Sequence, residues 1–236
     1  MDELWKRLNP NNNEQLIPNE QTSQYKDSWK ADILGTSQRI FVNAELNQMK
    51  SGNMPDVYKA FVSILEVIPV DGMSLIDLAC STGYYSEVAE FALPGKIRYY
   101  GSDYNEKSVE MAKELYPNLD FFIEDLTKLS FQDCEFNIAM ASGVLEHIPD
   151  QDQAFDELCR VANDFVLCHR MKFVEGEEYF TKGSQYGVDV IRYYYNRDKF
   201  LKRLSDRGFE MVASIQVYPH TNLCESFLFQ RINNEQ

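Results

Sequence analysis

The sequence predicts an α/β protein in which a mostly parallel sheet lies between two layers of helices. Between residues 55 and 205, short apolar segments typical of buried strands alternate with segments of helical periodicity. Such alternation indicates strand–helix–strand units, whose strands are parallel and covered on both faces. Residues 209–217 and 223–229 then follow each other without an intervening helix, and they predict a terminal hairpin.

Composition and charge narrow the class of protein. The 236 residues are 44% hydrophobic, which is enough for one substantial core. A formal charge of −14 repels phosphate backbones and disfavours a nucleic-acid partner. The chain has neither an apolar run long enough to span a membrane nor the pattern of a secretory signal. The five cysteines lack Cys-x-x-Cys spacing, so we expect reduced thiols in the cytoplasm and no metal site.

Two regions are expected along the chain, 1–54 and 55–236. The first is polar at its start, and we predict an irregular lead-in with one short helix at 2–8, followed by a longer helix. A second helix is predicted from Pro55, because proline suits the first turn of a helix. The second region is interpreted as the main domain, with an insertion at 171–195.

Residues 73–86 organise the main domain. They combine a short apolar strand, a turn of small residues from Ala79 to Gly83, and the start of a helix. Small residues let a ligand approach the backbone closely, and the start of a helix offers unpaired N–H groups. Asp77 interrupts the apolar strand, where an unpartnered carboxylate would be costly.

The segment Asp77–Gly83 resembles motif I of the class I S-adenosylmethionine-dependent methyltransferases, usually written Asp/Glu-x-Gly-x-Gly-x-Gly. Ala79 and Ser81 occupy the positions of the first two glycines, and Gly83 keeps the third. Alanine and serine are the smallest replacements, so we expect the ligand to approach closely provided that neither position has a positive φ. An ordinary strand–turn–helix corner remains an alternative for this segment taken alone.

Acidic residues follow the next two strands. Asp103 ends the second strand, where an acid can bind both ribose hydroxyls of an adenosine. Its alternative role is to cap the helix that follows Asn105. Asp125 follows the third strand, and the resemblance implies that it binds the adenine amino group while Leu126 packs on the ring.

Residues 142–150, Ser-Gly-Val-Leu-Glu-His-Ile-Pro-Asp, resemble the segment after the fourth strand of the type 11, small-molecule methyltransferases. The resemblance implies that His147 lies over the methyl-donor site. The fifth strand leads into His169 and Arg170, which we expect at the same edge of the sheet. The tyrosine-rich insertion that follows could shape an acceptor pocket or serve only packing.

The resemblance implies a Rossmann-like three-layer sandwich with seven mostly parallel strands, the last one antiparallel. It implies methyl transfer from S-adenosylmethionine to an oxygen or nitrogen of a small-molecule acceptor, such as a sugar or a secondary-metabolite intermediate. The N-terminal helices would then either cover the pocket or simply pack on the domain. The predicted donor-binding residues are Asp77, Ala79, Cys80, Ser81, Gly83, Tyr84, Asp103, Tyr104, Asp125, Leu126, Ser142 and Gly143. The predicted catalytic residues are His147 and His169, and the predicted acceptor-binding residues are Glu146, Arg170, Tyr186 and Tyr194.

Two other functions remain open at this point. A catalytically silent, donor-binding regulatory protein would fit the two missing glycines and Asn137, which replaces the aspartate usual in the family. A nucleotide-dependent oxidoreductase shares the strand–turn–helix unit and the acid at Asp103. The single glycine of the turn and the terminal hairpin both argue against the oxidoreductase.

Overall fold

The computed structural model describes residues 14–218 and 224–232, so the helix predicted at 2–8 lies outside the described residues. The strands are β1 (Gln15–Ile17), β2 (Met73–Leu78), β3 (Ile97–Asp103), β4 (Asp120–Ile123), β5 (Phe136–Ser142), β6 (Ala162–Val174), β7 (Tyr179–Gln185), β8 (Val188–Asn196), β9 (Phe209–Gln216) and β10 (Cys224–Arg231). The helices are α1 (Ile33–Lys50), α2 (Asp56–Leu65), α3 (Tyr85–Ala92), α4 (Glu106–Leu115), α5 (Gln151–Val161) and α6 (Arg197–Ser205). Short 3₁₀ helices lie at Asn19–Tyr25, Ser28–Lys30 and Leu145–His147.

The central sheet has the strand order β9–β10–β6–β5–β2–β3–β4. Strand β10 is antiparallel to both of its neighbours, and the remaining pairs, from β6 to β4, are parallel. The predicted arrangement of seven strands with an antiparallel last strand is therefore confirmed. Because the order reverses beside β2, a crevice opens there at the carboxyl ends of the parallel strands.

Side chains of β2 alternate between two hydrophobic clusters, one on each face of the sheet. Leu75 packs with apolar residues of α1, α2, α3 and α4. Ile76 and Leu78 pack on the opposite face with residues of α5 and α6. This alternation makes the three-layer sandwich, because each face of a fully buried strand needs its own layer of helices.

The insertion after the fifth strand of the central sheet forms a β-hairpin, which the sequence did not predict. Strands β7 and β8 are antiparallel, and Tyr186 and Gly187 form the two-residue turn with φ values of 52° and 85°. Positive φ at both positions is typical of a type I′ hairpin turn. Strand β1 adds to the outer edge of β7, and the last two residues of β6 pair with β8.

The N-terminal part of the chain is attached to the main domain beside the carboxyl ends of β2 and β3. The side-chain amide of Asn105 donates to the backbone oxygens of Trp29 and Ala31, at 2.9 and 3.2 Å. The backbone N–H of Trp29 donates to the hydroxyl of Tyr104 at 3.0 Å. We call residues 19–42 the cover segment, because they lie over the crevice of the sheet. Among the described residues, no helix combines the length and apolarity that crossing a membrane requires.

Candidate functional site

A cavity of about 390 Å³ lies in the crevice, between the carboxyl ends of the strands and the cover segment. This volume falls in the range of small-molecule sites. The predicted residues that line it are Asp77, Ala79, Cys80, Ser81, Tyr84, Asp103, Tyr104, Asp125, Leu126, Ser142, Gly143, His147, Arg170 and Tyr186. Residues from five different elements thus meet in one enclosed site.

The turn after β2 adopts a backbone that favours glycine at three positions. Ala79 and Ser81 have φ values of 64° and 53°, so the condition stated above for a close approach of the ligand, that neither has a positive φ, is not met. Each left-handed residue with a Cβ costs roughly 1–2 kcal/mol. Gly83 has a φ of 72°, and a Cβ there would lie 2.5 Å from the Phe121 ring. Gly83 does not line the cavity, and the absence of a side chain at this position leaves room for the Phe121 ring.

Asp77 places one carboxylate oxygen in the cavity region without a partner. Its Oδ2 accepts a hydrogen bond of 2.6 Å from the hydroxyl of Tyr99, and its buried Oδ1 has no partner among the described residues. Burial raises the pKa of this carboxyl to about 8. The hydrogen bond from Tyr99 lowers the pKa, and the charge of Asp103 raises it further. A cationic ligand group beside Oδ1 would therefore favour the ionised form.

Asp103 fixes the turn after β2 to the end of β3. Its two carboxylate oxygens accept hydrogen bonds of 2.8 Å from the backbone N–H groups of Ser81 and Asn105. Burial raises the pKa of Asp103 to about 6, and the backbone hydrogen bonds oppose that shift. The alternative role as a helix cap is excluded, because Asn105 caps α4 by accepting from the backbone N–H of Ser108.

The end of β4 contributes one exposed acid and one buried apolar side chain. Asp125 accepts hydrogen bonds from the backbone N–H and the hydroxyl of Thr127, both through Oδ1. Leu126 is only 6% exposed. Both residues line the cavity at its β4 end, where the resemblance implies an adenine site.

His147 is buried against the cover segment and held in one orientation. Its Nδ1 lies 2.6 Å from the backbone oxygen of Ile191, so Nδ1 carries the hydrogen and donates it. The ring lies 4.6 Å from the ring of Trp29, between centroids. Burial lowers the pKa of His147 below its ordinary value, although the nearby Glu146 opposes this shift. The ring is consequently neutral at pH 7, with a lone pair on Nε2.

Three other predicted residues lie away from the cavity. His169 is fully buried with its Nδ1 2.6 Å from the hydroxyl of Ser226, and burial lowers its pKa to about 3. Glu146 is 3% exposed, and its Oε1 lies 4.0 Å from the Nε2 of His147 and 3.9 Å from the Nζ of Lys172. Tyr194 lies on the outer hairpin and donates to Glu14 at 2.6 Å. The structure therefore does not bring these side chains to the cavity wall, because the sheet or the hairpin turns them elsewhere.

The cover segment supplies residues that sequence reasoning missed. Trp29, Lys26 and Gln38 line the cavity, and the Oε1 of Gln38 accepts a 2.6 Å hydrogen bond from the Ser81 hydroxyl. Gln38 stands four residues before Val42 on the buried stripe of α1. A polar residue at this position of an apolar stripe was the available signal, because buried polar groups need a partner.

Comparisons with known proteins agree with this geometry. A family model described as a methyltransferase domain matches residues 76–164. A protein of Mycolicibacterium smegmatis, described as a probable S-adenosylmethionine-dependent methyltransferase, is 30% identical over 160 residues. That match covers 65% of this chain and 58% of the relative, so the chain spans little more than half of the relative's length.

Solved structures show the same fold at low sequence identity. The magnesium protoporphyrin IX methyltransferase of Synechocystis, crystallised with bound S-adenosylmethionine, matches with a TM-score of 0.61 and 17% identity, over 91% of this chain and 98% of that one. The 1,6-didemethyltoxoflavin-N1-methyltransferase of Burkholderia thailandensis matches with a TM-score of 0.61 and 13% identity, over 93% and 92% of the two chains. A methyltransferase of Aquifex aeolicus gives a TM-score of 0.57 and 17% identity, over 79% and 98%.

The fold and the matched domain define the class of protein. The fold is that of the class I methyltransferases, as predicted. Residues 76–164 match the model of a methyltransferase domain, and 160 residues of the chain are similar to a probable S-adenosylmethionine-dependent methyltransferase. S-adenosylmethionine is the methyl donor of that class, and the Synechocystis enzyme was crystallised with it bound.

Proposed function

We propose that this protein transfers a methyl group from S-adenosylmethionine to an oxygen or nitrogen atom of a small-molecule acceptor. The observation that carries the proposal is the meeting of Asp77, Asp103, Asp125 and His147 around one covered cavity. Dinucleotide-dependent enzymes also place an acid after the second strand, but the antiparallel β10 and the segment around His147 match the methyltransferases.

The acidic residues of the cavity fit the donor from end to end. Asp103 and Asp125 follow neighbouring strands, and each retains lone pairs for the ribose hydroxyls and the adenine amino group. Asp77 lies on the next strand, and its unpartnered Oδ1 would accept a hydrogen bond from the ammonium group of the methionine moiety. The donor carries its positive charges at the methionine end. The buried carboxylate of Asp77 would lie beside those charges and stabilise them.

S-adenosylmethionine supplies an electrophilic methyl group on a sulfonium. The protein therefore needs to hold the acceptor close, exclude water and take a proton where the acceptor carries one. His147 suits the last task, because its neutral ring lines the cavity and its Nδ1–H is committed to Ile191. Trp29 and the rest of the cover segment exclude solvent above it.

The acceptor is proposed to be small because the cavity holds about 390 Å³ and is covered by the chain itself. The toxoflavin enzyme and the porphyrin enzyme are both named for small-molecule acceptors. We further propose the division into a covering region, 1–54, and a donor-binding domain, 55–236. A cytoplasmic location is part of the proposal, supported by five cysteines that are all free.

Donor binding tests this function directly. Calorimetry on the purified chain should show S-adenosylmethionine binding with a Kd on the order of micromolar and no binding of NAD. Asp103→Asn should weaken donor binding at least about tenfold, since a charge-assisted hydrogen bond to the ribose is lost. Asp71→Asn, at an exposed position before β2 and away from the cavity, is the matched control and should bind as the wild type does.

Other outcomes would remove the proposal. Binding of NAD alone would favour the oxidoreductase, and binding of neither ligand would leave the fold without its donor. Equal donor affinity in the wild type and Asp103→Asn would show that the cavity holds the donor in another way.

A further inference from the structure

A β-bulge lies in β6 where this strand passes the cavity. The pairing of β6 with β10 shifts between Glu225 and Phe227, so that His169 and Arg170 together lie opposite Ser226. The hydroxyl of Ser226 accepts from the backbone N–H of Arg170 at 3.4 Å, and Arg170 has a φ of 66°. Bulges redirect side chains, and a left-handed arginine is a strained feature that the surrounding structure must maintain.

The bulge turns Arg170 into the cavity while His169 stays in the core. The guanidinium lies over Gly143, where a Cβ would be 3.6 Å from its Cζ atom. Arg170 therefore reaches across the end of β5, next to the first residues of the segment 142–150. The distance of 3.6 Å is ordinary van der Waals contact, so the guanidinium lies directly against the backbone of Gly143.

The guanidinium of Arg170 has no ion pair or side-chain hydrogen bond within 14–218 and 224–232. The titratable groups that act on it include the hydroxyls of Tyr84, Tyr85 and Tyr218, none of which is a carboxylate. Glu146 also acts on it, with a smaller effect than the tyrosines, and the Oε1 of Glu146 lies 3.9 Å from the Nζ of Lys172.

Other arginines of this acidic chain are bound to carboxylates. Arg160, Arg192, Arg197, Arg203 and Arg207 each form a salt bridge with an acidic side chain. A half-buried guanidinium without such a partner retains donors that fit a carboxylate or a phosphate. Among the described residues, Arg98 and Arg231 also form no salt bridge, but neither of them lines the cavity as Arg170 does.

Arg170 also lies at the end of the cavity opposite to the adenosine site. Strands β2 and β5 separate β6 from β3, so the ends of β6 and β3 are three strand spacings apart, about 14 Å. The cavity between them accommodates the donor over β2 and β5. An anion held by Arg170 therefore lies beyond the motif I turn.

We propose that Arg170 binds a carboxylate or phosphate group of the acceptor, so that the methyl acceptor is a small anionic molecule. This inference rests on the proposed function and specifies its substrate class. Tyr84, Tyr85 and Tyr186 surround the same end of the cavity and would contact the body of the acceptor. The carboxylate of the donor itself is the other source of an anion, and the test must separate the two.

The test compares charged and neutral probes on the protein saturated with S-adenosylhomocysteine. Benzoate and phenyl phosphate are titrated beside benzamide, which has a similar shape and no charge. At least one anion should bind about tenfold or more tightly than benzamide, since hydrogen bonds to a charged group are the strong ones. Arg170→Gln should remove this preference and Arg170→Lys should keep part of it. Lys172→Met, which removes a nearby charge outside the cavity, should retain it fully.

Donor binding distinguishes the two sources of the anion and shows that the variants fold. Arg170→Gln should bind S-adenosylmethionine within about twofold of the wild type, because the loss falls on the acceptor. A loss of affinity for S-adenosylmethionine, but not for its decarboxylated analogue, would assign the anion to the donor and overturn the proposal. Equal binding of benzoate, phenyl phosphate and benzamide would overturn it as well. Failure of the wild type to bind S-adenosylhomocysteine would instead refute the proposed function.

Discussion

At the scale of single residues, the site depends on carboxyl groups whose protonation differs from that in water. Asp77 is 1% exposed and forms no salt bridge with another described residue. Its only described side-chain partner is the hydroxyl of Tyr99. A buried carboxylate with a free oxygen is costly, so its retention is best explained by a ligand that stabilises the charge.

This arrangement predicts a pH-dependent donor affinity. The pKa of Asp77 is raised to about 8, so the free protein mostly holds this carboxyl protonated at pH 7. A cationic donor binds the ionised form, and a proton must leave on binding. The affinity for S-adenosylmethionine should therefore rise as pH increases from 6.5 and level off above about 8, by up to about tenfold per unit. Calorimetry in two buffers of different ionisation enthalpy measures the protons released.

The control for this prediction is Asp77→Asn, which keeps the shape of the side chain and cannot ionise. It should abolish the slope between pH 6.5 and 8, whereas the contribution of Asp103 lies lower, near its pKa of about 6. A slope that survives in Asp77→Asn would assign the titration to another group.

At the scale of elements, the turn after β2 shows where sequence reasoning succeeded and where it failed. The position of the turn was predictable, because small residues between an apolar strand and a helix leave few other conformations. The φ values of Ala79 and Ser81 were not, since neither residue type indicates a left-handed backbone. The hairpin β7–β8 was missed for a similar reason, because its turn uses Tyr186 in place of the usual asparagine or glycine.

The geometry of the turn predicts that Ala79→Gly stabilises the protein. Removing the Cβ relieves roughly 1–2 kcal/mol of backbone strain, while the more flexible unfolded chain takes back about 0.5–1 kcal/mol. The net gain in the free energy of unfolding should be about 0.5–1 kcal/mol, or a Tm higher by about 1–4 °C. Ser81→Gly should gain less, because it also loses the hydrogen bond to Gln38.

Thermal melts of matched variants check this prediction. Ala44→Gly, in the middle of α1, replaces alanine by glycine where the backbone is helical, and it should lower the free energy of unfolding by about 1 kcal/mol. Opposite signs at positions 79 and 44 would support the strained turn, whereas destabilisation at both would show that the turn carries no strain.

At the scale of the whole molecule, the cavity lies between the edge of the sheet and the cover segment. The sequence did not predict that these two regions are in contact. The position of the acidic residues at the edge of the sheet could be predicted from the order of the strands and from the resemblance. The partners of that edge could not, because nothing in the local sequence around Trp29 and Gln38 indicates which part of the main domain these residues contact. Only tertiary contacts, such as those of Asn105 with Trp29 and Ala31, position the cover segment.

The cover segment joins the site to the rest of the molecule, so donor binding should stabilise it selectively. Its 3₁₀ helices, Asn19–Tyr25 and Ser28–Lys30, contain no fully buried apolar residue, and segments with few buried apolar contacts open locally at low free energy. A donor placed beneath it would add contacts that exist only in the closed state. Hydrogen exchange of backbone amides in residues 19–42 should slow at least about tenfold with saturating S-adenosylmethionine.

The strands β9 and β10 provide the internal reference for this experiment. They lie beside β6 at the far edge of the sheet and, among the described residues, do not line the cavity, so their exchange should change little. Asp103→Asn at the same donor concentration should leave the cover segment unprotected. Uniform slowing over the cover segment and β9–β10 alike would mean that the donor stabilises the fold globally. In that case the cover segment would be a fixed wall of the cavity, and the acceptor would have to enter past the hairpin that carries Tyr186.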